Sequence, residues 1–221
     1  WVEGAARDCL AHAGACAVIV GDEQPPLVHA LAHAMNEALG SFGRTVQLIA
    51  PVLPHEAPGL DALVRAAQRK EIDALFILGA NPAYDAPGDI DVAHALRSVP
   101  LTMHHGLYVD ETALLCCWHL PAAHALEAWS DARAFDGTAS LVQPVIAPLH
   151  DGRSSHELLA MLSGSIEPNG RSIVQATWRD AAGAAGDRWW TEALREGVIP
   201  GSASTPLRLG IEPIDAADAP R

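Results

Sequence analysis

Short, continuously apolar runs recur along the first hundred residues, and each is followed by a stretch with apolar side chains at helical spacing. Ala15-Cys-Ala-Val-Ile-Val20, closed by Gly21, is the first of them. A strand that is apolar on both faces has to be covered on both, which points to a parallel sheet sandwiched by helices. Leu27, Val28, Leu31, Ala32, Met35 and Leu39 supply the next helix, with Pro25 and Pro26 in its first turn and Gly40 and Gly43 as its stop. Thr45 to Ala50 reads as a second strand and Leu60, Leu63, Val64 and Ala67 as a second helix. Ala74-Leu-Phe-Ile-Leu78 reads as a third strand, ending at Gly79-Ala-Asn-Pro82. Ile90, Val92, Ala93 and Leu96 mark a third helix, and Pro100 to His104 a fourth strand. Strands alternating with helices imply right-handed crossovers. The expected fold class is therefore α/β, a parallel Rossmann-like sheet of about four strands with flanking helices.

From about Glu111 the pattern changes to short pieces rich in Pro and Gly, with one clear helix at Ser154 to Leu162. Beyond Gly164 there is no strand-helix alternation, yet Trp178, Trp189 and Trp190 fall there. A Trp buries on the order of 200 Å² when fully packed. The tail is therefore read as an irregular extension that docks on a neighbour outside this chain and exposes an apolar patch without it. The expected organisation is 1–14 as linker or helix end, 15–164 as the α/β domain, and 165–221 as an extension or linker to a further domain. The start at Trp1 and the polar Ala/Asp/Pro tail suit a piece of a longer subunit.

The charge balance narrows the function. There are 27 acidic against 14 basic residues, with Lys70 the only lysine, for a net charge of −13. Such a surface repels phosphate backbones and anionic bilayers, so no nucleic-acid partner is expected. The apolar runs are far shorter than the roughly 20 residues of a membrane-spanning helix, so no direct membrane insertion is expected. Cys9, Cys16, Cys116 and Cys117 lack the spacing of a disulfide framework, an iron-sulfur site or a zinc ribbon. Gly21-Asp-Glu-Gln-Pro-Pro26 holds the place of a nucleotide-binding turn but not its glycine pattern. His29 and His33 share one helical face, and Cys117, His119 and His124 cluster in sequence; a small His/Cys metal-binding domain is the reading these residues offer. No Ser/His/Asp order or nucleophile elbow stands out, so no catalytic residue and no metal ligand is assigned.

Residues 75 to 163 carry a specific order of short motifs. Leu78-Gly-Ala-Asn-Pro82 is followed by Ala95-Leu96, Pro100-Leu-Thr-Met103, Thr112-Ala113, Leu120-Pro121, Glu127, the stretch from Phe135 to Gln143, and Pro148 to Leu162. This order resembles the late α/β domain of the molybdopterin oxidoreductase family, which includes dimethyl sulfoxide reductase, nitrate reductase and formate dehydrogenase. The resemblance implies cofactor-binding positions at Gly79, Asn81, Pro82, His105, Gly106, Thr112 and Glu127.

The chain departs from that pattern at three places. Gly106 stands where pterin-binding members usually carry Asp, Cys116-Cys117 replaces an Ala-Asp pair, and Ala128-Trp129-Ser130 replaces Lys-Glu-Gly. Each removes a polar partner for a buried, hydrogen-bonding cofactor. Asp22 to His33, His119 to His124 and Glu127 to Thr138 resemble the large iron-sulfur subunit of alternative complex III and its Tat-exported relatives. That branch implies a scaffold with no pterin and no cofactor in this chain, whose parent subunit carries iron-sulfur clusters in a ferredoxin-like half. It also implies a location on the periplasmic face of the bacterial inner membrane, beside a membrane quinol-oxidising subunit and multihaem cytochromes. The alternative is a catalytic molybdenum or tungsten enzyme, with the loop from His104 to Thr112 contacting a molybdenum bis-guanine-dinucleotide pterin.

Overall fold

The computed structural model describes residues 1–50, 58–166, 168–179 and 188–207. The chain divides into two compact units, residues 1–52 with 204–221 and residues 53–203.

In the first unit, α1 (Val2–Ala11) buries none of its residues, and α2 (Pro26–Ala38) buries Ala32 and Asn36. Pro26 stands at the start of α2, where its missing N–H costs nothing. The two early strand expectations fail here. Ala15–Val20 is extended, with alternate residues half-buried, but its partners are side chains rather than a strand. The Asn36 amide accepts from the Val18 N–H and donates to the Val18 carbonyl, both at 2.8 Å, as a neighbouring backbone would. Among the described residues, Thr45–Ala50 makes isolated bridges rather than a ladder, Val46 with Phe42 and Leu48 with Leu207. An apolar β-branched run specifies an extended backbone; it does not specify what pairs with it.

The second unit holds the expected parallel sheet, with three strands. β1 (Ala74–Leu78) pairs with β2 (Leu101–Gly106), and β2 pairs with β3 (Trp118–Pro121), all parallel. Between them run α3 (Leu60–Gln68) before β1, α4 (Pro82–Asp85) and α5 (Val92–Ser98) in the first crossover, and α6 (Glu111–Leu115) in the second. α3 and α5 cover one face, where Val64, Ala67, Ile77, Val92, Ala95, Leu96 and Val99 form one core cluster. The expected helices at 27–39, 60–67, 90–96 and 154–162 all form. β3 was not anticipated: it is four residues long, half-exposed, and opens on an exposed Trp118.

Among the described residues, the C-terminal part holds a hairpin and three helices and is otherwise irregular. β4 (Ser130–Arg133) and β5 (Ala139–Val142) are antiparallel, and α7 (Ser155–Leu162), α8 (Gly170–Arg179) and α9 (Arg188–Glu196) follow. The docking expectation for the tryptophans is corrected here. Trp178, Trp189 and Trp190 are buried, packed with Ala139, Leu141, Val174, Ala193 and Ile199 in a second core cluster. The hairpin supplies the apolar face that the sequence seemed to leave to a neighbour. Trp178 also donates its indole N–H to Asp131 on β4 at 2.6 Å.

Candidate functional site

In open α/β sheets, ligands meet the protein beyond the carboxyl ends of the strands. Here that edge is formed by the loops after β1 and β2, and it gathers most of the family-type positions. Gly79 follows β1 with a φ of +64°, a left-handed turn that favours glycine, and its N–H bonds the His105 carbonyl at 2.8 Å. Asn81 and Pro82 then start α4.

Asn81 ties the two loops together. Its Oδ1 accepts from the Thr112 hydroxyl at 2.7 Å and from the Thr112 N–H at 3.3 Å, and its Nδ2 donates to Glu111 at 2.8 Å. The buried Thr112 hydroxyl in turn accepts from the Ala83 N–H at 3.0 Å. Asn81 lowers the pKa of the Glu111 carboxyl by hydrogen bonding to its charged form. Asp110 caps α6, its side chain accepting from the Ala113 N–H.

Two consecutive histidines on β2 are both 1% exposed, and strand alternation sends them to opposite faces. His104 faces His119, its register partner on β3, with Nδ1 to Nδ1 at 3.0 Å and the rings stacked at 5.2 Å. Its Nε2 lies 3.3 Å from the Ala80 carbonyl and 3.6 Å from the Asp110 carboxylate. An Nε2–H that donates to Ala80 leaves His104 Nδ1 as acceptor and His119 Nδ1–H as donor. Burial, followed by the proximity of His104, lowers the His119 pKa, which favours the neutral imidazole of His119. His105 uses its other face, with Nε2 2.9 Å from the Arg153 carbonyl and Nδ1 3.4 Å from the Ser155 hydroxyl.

Gly106 is where the departure from the pterin-binding pattern acquires a physical meaning. A Cβ on Gly106 would lie 2.5 Å from His104 Cε1 and 3.1 Å from Nε2. The His104 ring therefore fills the space into which a side chain at 106 would begin. Glu127, in the segment after β3, accepts from the His124 N–H at 3.1 Å. At these positions the hydrogen-bonding capacity of Asn81, Thr112 and His105 is met within the protein. Among the described residues, the single buried side-chain polar atom without a partner is Trp190 Nε1, in the hairpin core rather than at this edge.

The sequence did not point to the His104–His119 pair, because the partner strand β3 was not foreseen. The candidate metal residues do not converge. Cys117 faces the Thr102 hydroxyl at 3.5 Å, His119 faces His104, and His124 Nδ1 accepts from the Leu126 N–H. His33 stacks on Phe42, with ring centroids 6.1 Å apart. Among the described residues no group of three His, Cys, Asp or Glu side chains is placed to hold a metal ion, and no helix is long and apolar enough to cross a membrane. Ser130, His156 and Asp131 also lie together, but the Ser130 hydroxyl at 2.9 Å and the Asp131 carboxylate at 3.9 Å approach the same nitrogen, His156 Nε2. A relay from carboxylate through imidazole to hydroxyl needs both ring nitrogens.

Comparison with known proteins gives one relative to set beside this geometry. The menaquinone reductase, molybdopterin-binding-like subunit, of Nitratidesulfovibrio vulgaris (strain Hildenborough) is 29% identical over 152 residues, covering 60% of this chain and 22% of the relative. The chain is similar, at a coarse level, to a molybdopterin-enzyme-like subunit. It spans about a fifth of the length of that relative. No family model matches it.

Proposed function

We propose that this chain is the molybdopterin-enzyme-like part of a respiratory oxidoreductase subunit, acting as scaffold and docking surface without a pterin of its own. The observation that carries the reading is the similarity to a subunit named molybdopterin-binding-like within a menaquinone reductase. The internally satisfied loop edge supports it: His104 occupies the space at Gly106, and Asn81 is spent on Thr112 and Glu111. The same edge is rimmed by exposed apolar side chains, Tyr84 after β1, then Leu107, Tyr108 and Val109 after β2. Exposed apolar residues gathered on loops mark a protein contact more often than solvent-facing filler.

In this reading, electrons pass between a membrane quinone pool and iron-sulfur clusters in a ferredoxin-like half of the parent subunit, with multihaem cytochromes and a membrane quinol-oxidising subunit as further partners. The assembly sits on the periplasmic face of the inner membrane, as in the alternative complex III type. The test is to purify the tagged parent protein from its own membranes under anaerobic conditions. The expected result is co-purification with iron-sulfur and membrane subunits, and no fluorescent pterin derivative after oxidation. Stoichiometric pterin, or a protein that purifies alone, would overturn the proposal.

A further inference from the structure

We propose that Cys9 and Cys16 are a redox-responsive pair whose oxidation to an intrachain disulfide staples α1 onto the extended segment that follows it. This rests on the first unit alone and is independent of the functional reading above.

α1 is loosely held. It is 10 residues long, has no side-chain cap, and buries none of its residues. A helix of that length is marginal in water without tertiary support. Its apolar side, with Val2, Ala5 and Cys9, shares an open groove with Met35 and Leu39 of α2.

The turn after α1 brings the second thiol back to it. The His12 N–H bonds the Asp8 and Cys9 carbonyls, Gly14 takes a φ of +77°, and the Ala15 N–H bonds the His12 carbonyl. Cys16 then lies alongside the end of the helix, where its thiol donates to the Cys9 carbonyl at 3.5 Å. That oxygen is two bonds from the Cys9 Cα. The Cys16 sulfur thus already lies against the Cys9 backbone, and a disulfide needs the two Cβ atoms about 3.5–4.5 Å apart. Both cysteines are half-buried, which leaves them open to a small oxidant.

Cys16 is also a fixed point. Its carbonyl accepts from the Ser41 hydroxyl at 2.9 Å and the Thr45 hydroxyl at 2.6 Å, and Ser41 is fully buried. A bond to Cys16 would thus tie a loosely held helix to an anchored segment. The other two cysteines are placed differently. Cys116 packs against the α3/α5 core cluster, while the Cys117 thiol turns to Thr102 and to the Pro100 carbonyl.

In the reaction each thiol gives up its hydrogen and the two sulfurs form one S–S bond. The two electrons and two protons pass to a disulfide-bonded oxidant, which leaves as two thiols.

The experiment takes the full chain through a series of oxidised-to-reduced glutathione ratios. Free thiols are then alkylated, and the linkages and amide hydrogen exchange are read by mass spectrometry. The expected result is a link between positions 9 and 16, together with exchange across α1 that is several-fold slower in the oxidised form. Both effects should vanish in Cys16→Ser and in Cys9→Ser, and both should survive in Cys116→Ser and Cys117→Ser. No link between 9 and 16, a link that pairs either residue elsewhere, or unchanged exchange across α1 would overturn the proposal.

Discussion

Replacing Gly106 by alanine tests whether His104 really fills the space that a side chain at 106 would take. The added Cβ would stand 2.5 Å from His104 Cε1, well inside van der Waals contact, and the ring is 1% exposed, so it has no path to solvent. Two responses are open to the protein. If the ring stays and the backbone of β2 shifts, the cost is that of overpacking a core, about 1–3 kcal/mol. If the ring moves, it loses its contacts with His119 and with the Ala80 carbonyl, at about 1 kcal/mol each. Either route gives about 2 kcal/mol, or a fall of about 4–8 °C in Tm for a chain of this size. The assay is urea unfolding followed by circular dichroism on the four members of a double-mutant cycle with His104→Ala. Removing the imidazole leaves room for the methyl group, so most of the Gly106→Ala penalty should disappear in the His104→Ala background. An equal penalty with and without His104 would refute the reasoning, because the strain would then lie in the backbone and not in the ring.

Three further outcomes are expected. Trp178→Phe keeps most of the buried surface but removes the 2.6 Å bond to Asp131, a hydrogen bond to a carboxylate that contributes about 1.5–3 kcal/mol; an unfolding midpoint unchanged from the parent would show that the bond contributes nothing. His119 has its pKa lowered below 6.5 in the folded protein, so the unfolded chain binds the proton more readily; stability should be level above about pH 6.5 and fall as pH drops below it, and His119→Gln should flatten that part of the pH-stability curve. A Cβ on Gly152 would meet the backbone of Ala122 and Ala123 at 3.0 Å, atoms that cannot swing aside, so Gly152→Ala should lose about 1–3 kcal/mol in denaturant unfolding while Gly88→Ala, with open space around it, should lose far less.

The class of the fold and the position of its central strands were legible in the sequence, because period and length alone carry them. Ala74–Leu78 and the segment from Leu101 are apolar runs of strand length bracketed by helical spacing, and a parallel sheet follows from that alternation whatever the neighbours are. Of the positions marked by the motif order, Gly79, Asn81 and Thr112 are linked by hydrogen bonds across the loops after β1 and β2. Partnership is what the sequence did not carry. Ala15–Val20 has the composition of a buried strand, yet Asn36, Ser41 and Thr45 side chains take the place of a neighbour, which no local pattern encodes. The tryptophans of the tail looked unpartnered because their cover, the β4–β5 hairpin, lies some 40 residues upstream, in strands of only four residues each. Likewise His104 and His119 are 15 residues apart and meet only through the parallel register of β2 and β3. Local sequence sets which backbone conformation each segment favours; which side chains meet across segments is decided by burial over the whole unit, and it is that step which filled the space at Gly106 with an imidazole.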